Sequence, residues 1–256
     1  MLHEQWEYRE LLMQMTLRDL VVRYKQSVMG FGWAIFMPLM NTLIFSVVFT
    51  RVTTIQTSAP YPVFAYTGLL FWNYFAASLR FAASSLSSNA TLVSKIYFPR
   101  EIFPFSSILV CLADLGVGAT VLVVLMVYYR VPVTPAILLV PVLLLIQTVL
   151  TAGISLILAM ANLFLRDVKY LLEMVLSLWM FATSVVYPME LVGGKLGMVL
   201  KLNPMTPIID GFRSVILLGQ IPAAGPLLLA SLLAVVSLAA GWLMFHRAEY
   251  RFAEYA

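Results

Sequence analysis

Long uncharged stretches dominate the chain. Residues 26–50, 52–79, 131–165 and 214–246 contain no Asp, Glu, Lys or Arg. Each exceeds the roughly 20 apolar residues a helix needs to cross a bilayer core. With Gly, Pro and charged clusters as punctuation, the pattern predicts six spans at about 29–50, 62–79, 102–129, 136–162, 170–187 and 226–246. The third is interrupted only by Asp114, and the fifth carries Glu173 one turn inside. The expected fold class is all-α, a polytopic membrane protein forming one transmembrane domain over residues 1–256.

Three segments fall outside this pattern. Residues 1–25 form a charged lead with blurred helical amphipathicity. Trp6, Met13, Leu17, Leu20 and Tyr24 fall near one face, while Leu11, Met15 and Val22 lie on the other side. Thr16 with Asp19 three residues on suits a cap. The lead reads as an interfacial helix (1–27), with a solvated N-terminal helix as the alternative. It is mixed and charged, so it is not expected to be a cleaved leader. Residues 84–101 are rich in Ser and Asn, and a short helix at 89–96, ended before Pro99, is expected there. Its Leu92, Val93 and Ile96 would offer an apolar edge to a partner groove; a plain connecting loop is the alternative. In 188–225, two mostly apolar pieces (192–202 and 207–218) are too short to span. They read as helices dipping back from the outer side, where irregular backbone must be packed in protein or line a wet cavity. A loop on the lipid surface is the alternative.

Composition sharpens the picture. The chain is 62% hydrophobic and 11% charged, against about 25% charged in soluble domains. The net charge of +4 is modest, and the basic residues sit at the ends of apolar runs, which suits a membrane surface and not nucleic acid. Six spans place both termini on one side. Eleven basic residues fall on that side and five on the other: Arg51, Arg130, Lys195, Lys201 and Arg213. The positive-inside bias makes the richer side cytoplasmic. The single Cys111 excludes an intrachain disulfide.

Chemistry-bearing patterns are sparse. No G-x-x-x-x-G-K-[ST] loop occurs, and the Gly193-Gly194-Lys195 stretch lacks its spacing. Two His, one near each terminus, suggest no metal site. Catalysis by this chain alone is not expected. Asp114 is the most central ionisable group. It fits either ion coupling or a structural hydrogen bond between helices, eased by Gly116, Gly118 and Ala119; the structural role is favoured. Aromatic residues gather in span two, where Trp72 and Tyr74 lie too deep for an interfacial belt. With Tyr66 and Trp179 they are candidates to line a glycan path; ordinary packing is the alternative. A helix turns by about 200° over two residues. Only one of Trp72 and Tyr74 can therefore face a narrow path, and Trp72 is favoured.

Certain residues, taken in order, resemble the permeases of polysaccharide ABC exporters, the Wzm-like O-antigen and TagG-like teichoic-acid transporters. Arg18-Asp19-Leu20, Arg23-Tyr24-Lys25-Gln26-Ser27, Gly30, Trp33 and Pro38 resemble the start of their first span. Asn89, Leu92-Val93, Lys95 and Tyr97-Phe98-Pro99-Arg100-Glu101 resemble their cytoplasmic coupling segment. Asn162-Leu163-Phe164 with Arg166-Asp167-Val168 resembles the turn between spans four and five. Asn203-Pro204-Met205-Thr206-Pro207 with Phe212-Arg213 resembles their outer re-entrant region. Met29, where Leu is more usual, is a minor departure. The resemblance implies a permease subunit that pairs with a second copy of itself and with two separate ATPase subunits. ATP and Mg would sit on those ATPases and no cofactor on this chain. The substrate would be a lipid-diphosphate-linked glycan moved outward across the bacterial inner membrane. Asn89, Leu92, Val93, Lys95, Ile96, Arg100 and Glu101 would couple to the ATPase, and Arg18, Asp19, Arg23, Tyr24 and Lys25 would belong to the interface helix. A secondary transporter, a permease for another amphipathic lipid-like substrate, and an enzyme acting on lipid-linked sugars are the rivals. The first should carry inverted repeats and several buried ionisable groups, and the last an acidic or basic cluster; neither feature is evident.

Overall fold

A computed structural model describes residues 8–25, 30, 32–48, 57, 59–95, 98–188, 194, 197, 200 and 202–255, and among them there is helix and no strand. The helices are α1 (Arg9–Lys25), α2 (Gly32–Val47), α3 (Tyr61–Ser88), α4 (Ala90–Lys95), α5 (Ile102–Tyr128), α6 (Val140–Phe164), α7 (Val168–Phe181), α8 (Met205–Arg213), α9 (Ala224–Ala248) and α10 (Phe252–Tyr255). A 3₁₀ turn, Pro135–Leu139, leads into α6, and a π turn, Ser214–Leu218, continues α8. Among the described residues, three stretches are long and apolar enough to cross a membrane: Ile102–Tyr128, Pro135–Phe164 and Ala224–Arg251. The other predicted spans differ for local reasons. Within the described residues α2 is short, α7 is about 21 Å long by its 14 residues, and α3 carries Arg80 and a run of Ser.

Helix α3 is the axis of the molecule. It packs against α2, α5, α6, α7 and α8, and residues from Val63 to Phe75 along it are almost all buried. It also runs past the predicted end of span two to Ser88. The first part of the 84–101 segment is therefore helix, and the connection itself begins at Asn89. The main core surrounds α3 and takes in Phe212, Leu143 and Leu176. A second core at the α4 end joins Leu86, Val93, Phe98, Phe103, Leu163, Phe245 and Phe252. Gly153 of α6 and Gly241 of α9 meet backbone to backbone, and a Cβ on either would overlap the other helix, the close approach that small residues permit between membrane helices.

The segment after α7 is held from within. Asn203 uses both ends of its amide: Oδ1 accepts from Trp179 Nε1 (2.9 Å) and the Met205 amide (3.1 Å), and Nδ2 donates to the Ala182 carbonyl (3.0 Å) and to Thr183 Oγ1 (2.7 Å). Arg213 stands among the outer basic residues by sequence, but the structure buries it to 4% exposure. Its guanidinium donates to the carbonyls of Ser184, Val185 and Phe64. It also lies 3.5 Å from Asp210 and 3.6 Å over the centre of the Phe64 ring. Ser184 Oγ donates to Asp210 at 2.7 Å. Much of 189–201 in the expected re-entrant region lies outside the described residues.

Gly68 on α3 makes room for this arrangement. A Cβ there would overlap the Val185 carbonyl and the Arg213 guanidinium, whereas one at Gly116 on α5 meets nothing within 4 Å. Gly68→Ala is expected to lower stability by about 1–3 kcal/mol through overpacking. Gly116→Ala should be neutral or gain up to about 1 kcal/mol from helix propensity. Thermal unfolding of the two variants in detergent checks the opposite signs, and equal effects would count against the pinned geometry.

Candidate functional site

Arg18, Asp19 and Arg23 of α1 face inward. Arg18 pairs with the neighbouring Asp19 at 2.8 Å and donates to Asn89 Oδ1 at 3.0 Å. Asp19 accepts from Ser106 Oγ at 3.2 Å. One turn further on, Arg23 forms an ion pair with Asp114 at 2.6 Å, and the Tyr24 hydroxyl donates to the same carboxylate. Arg23 also lies 3.8 Å over the Phe81 ring. Burial and then the hydrogen bond to Asp114 push the Tyr24 phenol up to about 12, so it remains a donor at physiological pH. Lys25 is exposed. Asp114 is therefore matched by a cation and a phenol from a helix far earlier in the chain. No local pattern signals those partners. Of the small residues around it, Gly118 sits at a helix contact, with its carbonyl accepting from Tyr66 at 2.9 Å, and Ala119 packs against the main core.

The blurred amphipathicity of α1 has a structural cause. Leu11, Leu12 and Met15 pack on the second core, while Met13, Leu17 and Val21, spaced by four, form an exposed apolar stripe. The two apolar faces point apart and nearly cancel. That arrangement suits a helix packed on protein along one side and on the lipid boundary along the other.

The coupling candidates sit at the next corner. Asn89 Nδ2 donates to the Ser85 carbonyl at 2.9 Å and so ends α3. Val93 is buried in the second core and Leu92 is half-buried against it, so the apolar edge expected to face a partner turns largely inward. Thr91 and Ser94 are the exposed positions of α4. Ile96 and the side chain of Lys95 lie outside the described residues. Arg100 donates to the Glu249 carbonyl. Glu101 is buried, and its Oε1 lies 3.8 Å from His246 Nε2. Glu101, His246 and Glu249 bring three metal-capable atoms within 4.8 Å of one another. The sequence hides this juxtaposition, because Glu101 precedes α5 and the other two stand at the end of α9. His246 Nδ1 lies 3.2 Å from the Trp242 carbonyl, so Nε2 is the nitrogen that faces Glu101.

The aromatic path candidates sit in or against the main core around α3. Trp72 packs on Trp179 at 6.4 Å and on Phe75 at 5.6 Å. Tyr66 is fully buried, and the Trp179 indole is bonded to Asn203. Tyr74 borders a cleft that Trp33 and Asp114 also line, with its hydroxyl 2.9 Å from Thr148 Oγ1.

Residues 10–217 match the family described as ABC-2 type transporter. The chain is 31% identical over 256 residues to the O-antigen export system permease protein RfbA of Myxococcus xanthus, covering 99% of this chain and 98% of that protein. It is 30% identical over 249 residues to a protein of the same name from Klebsiella pneumoniae, covering 96% and 94%.

The Asp114 cluster makes a mutational forecast. Asp114→Asn should cost up to about 3 kcal/mol, because removing one member of a poorly solvated pair strands the other. Arg23→Met combined with Asp114→Leu should recover most of that loss. If Asp114 carried protons instead, the double variant would be stable yet inactive. Thermal unfolding with export measured in parallel separates the two roles.

Proposed function

This chain belongs to the ABC-2 type transporter family, and from that membership we propose that it is the permease subunit of an exporter of O-antigen-type polysaccharide. The observation that carries the reading is the end-to-end similarity to O-antigen export permeases over 99% of this chain. A homodimer with two separate ATPase chains is the working unit of this reading, and a lipid-linked glycan its cargo. Six crossings with both termini in the cytoplasm follow from the apolar runs and the eleven-to-five basic imbalance. The segment from 188 to 225 forms the outer re-entrant cap, and 84–101 forms the cytoplasmic coupling region. Exposed apolar faces on α2 (Phe36, Met40, Leu43) and α7 (Leu171, Met174, Leu178) are the surfaces a second copy would share with lipid.

In this reading, ATP-driven closure of the ATPases presses on α4 and α1 together. Arg18 links the two regions through Asn89, so a push on one reaches the other. The exposed Thr91 and Ser94 are the α4 positions that touch the ATPase, and Val93 anchors the segment from behind.

Two measurements test this. Thr91→Arg and Ser94→Arg together should leave the permease folded and release the ATPase on co-purification, while Val93→Asp should destabilise the permease itself. Retained ATPase with full export in the double Arg variant would remove the docking assignment. A cysteine at Ser87 should be labelled only from the cytoplasm and one at Gly194 only from outside; the reverse pattern would overturn the orientation.

A further inference from the structure

A cleft of about 220 Å³ lies between α2, α3 and α5, close to the end of α1. Its apolar walls carry Trp33, Asn41, Asn73, Tyr74, Arg80 and Asp114. The charges among these are already matched. Asp114 is held by Arg23 at 2.6 Å, and Arg80 is held by Glu173 at 2.9 Å. The two amides differ. Neither Asn41 nor Asn73 forms a side-chain hydrogen bond with another described residue. Asn73 is half-buried and Asn41 exposed. Asn73 stands about 18 Å along α3 from Tyr61 by helical rise, far from either end. An amide held in apolar surroundings without a partner costs free energy, and in a membrane it must find one in protein, water or ligand. Trp33 adds an exposed ring at the rim, held edge-on by Phe36 at 5.7 Å.

We propose that this cleft seats one uncharged sugar ring of the exported glycan, with the Asn41 and Asn73 amides bonding its hydroxyls and Trp33 stacking on its apolar face. The inference rests on the export function proposed above. An amide offers both donors and an acceptor, matching a hydroxyl that does the same. A diphosphate would need an unmatched cation, and both arginines near the cleft are engaged with carboxylates. A lipid tail would leave both amides unsatisfied. Sites that enclose drug-sized ligands begin at roughly 300 Å³. This cleft is smaller, so it suits a single ring and not a stretch of chain. A polymer would therefore be gripped one unit at a time.

The test uses the permease–ATPase complex in lipid nanodiscs with millimolar methyl glucoside, methyl mannoside, N-acetylglucosamine and inorganic pyrophosphate. Saturation-transfer NMR should show ring-proton signals from at least one sugar. Asn41→Leu and Asn73→Leu should each weaken them about two- to tenfold, the range for one lost hydrogen bond. Pyrophosphate should not displace them. No sugar signal, unchanged signals in both variants, or displacement by pyrophosphate overturns the proposal. Both variants should keep or raise thermal stability, because each removes an amide that bonds no other described residue. Export in cells separates the two levels. Full-rate export by both variants sinks the sugar cleft and leaves the export function standing. A wild-type complex that exports no glycan sinks the export function and this inference with it.

Discussion

A buried guanidinium holds the α7–α8 end of this molecule together. Helix α7 stops after 14 residues, about 21 Å by rise against a hydrocarbon core of roughly 30 Å. Its end leaves carbonyls that would be stranded inside protein or lipid, where each unsatisfied group costs several kcal/mol. Arg213 answers with a planar fork of donors that no lysine can reproduce, taking the carbonyls of Ser184, Val185 and Phe64 together. That single contact fixes α8 to α3 and to the end of α7. It requires Gly68 beneath it, and it sets Phe212 flat on Phe71 at 3.5 Å. Asn203 closes the same turn from the other side.

Because α3 is pinned in this way at one end, events at its other end act on a rigid rod. That end carries Phe81 under Arg23, and Asn89 bonded to Arg18. The contacts between α1 and the rod are polar and partly solvated: the Arg23 and Asp114 side chains each keep 22% exposure. Such contacts exchange with water far more readily than the close-packed core around Phe75 and Leu79. A load applied to α1 or α4 therefore has a compliant joint beside a stiff element. The compliant joint borders the cleft, since Asp114 belongs to both.

Part of this was legible in the sequence, and the rest was hidden for identifiable reasons. Apolar runs located α2, α5, α6 and α9 within a few residues, and the starts of α3 and α7 but not their ends, because burial in lipid or core demands the same residue types. They did not register that α7 is short, with 14 residues, or that α3 is polar at one end. The order of motifs found the Asn203 and Arg213 region without its physics. Nothing local in the sequence distinguishes an arginine bonded to three carbonyls from a surface arginine, so a count of charges does not reveal that Arg213 is buried. Likewise Asp114 invites a partner that spacing cannot supply, since Arg23 lies 91 residues away. The surroundings of the aromatic path candidates were hidden for a related reason. A Trp on a helix buried on all sides packs inward whichever way it points, and composition cannot tell that helix from one beside a channel.

Charge matching gives the region beside α1 its character. Among the described residues, the arginines that touch the region between α1, α3 and α5 each have a carboxylate within hydrogen-bonding distance: Arg18 with Asp19, Arg23 with Asp114, and Arg80 with Glu173. A surface built to capture phosphate keeps some guanidinium groups open, because a bidentate Arg–phosphate contact supplies both strength and geometry. Here the forks are spent on the protein's own acids. The remaining polarity is neutral: two amides, a phenol and an indole. Neutral donors and acceptors hold a hydroxylated ring through individually modest bonds and release it without having to separate opposite charges. Such contacts suit cargo that must keep moving, whereas an open cationic site would hold the anionic end of a lipid-linked chain in place.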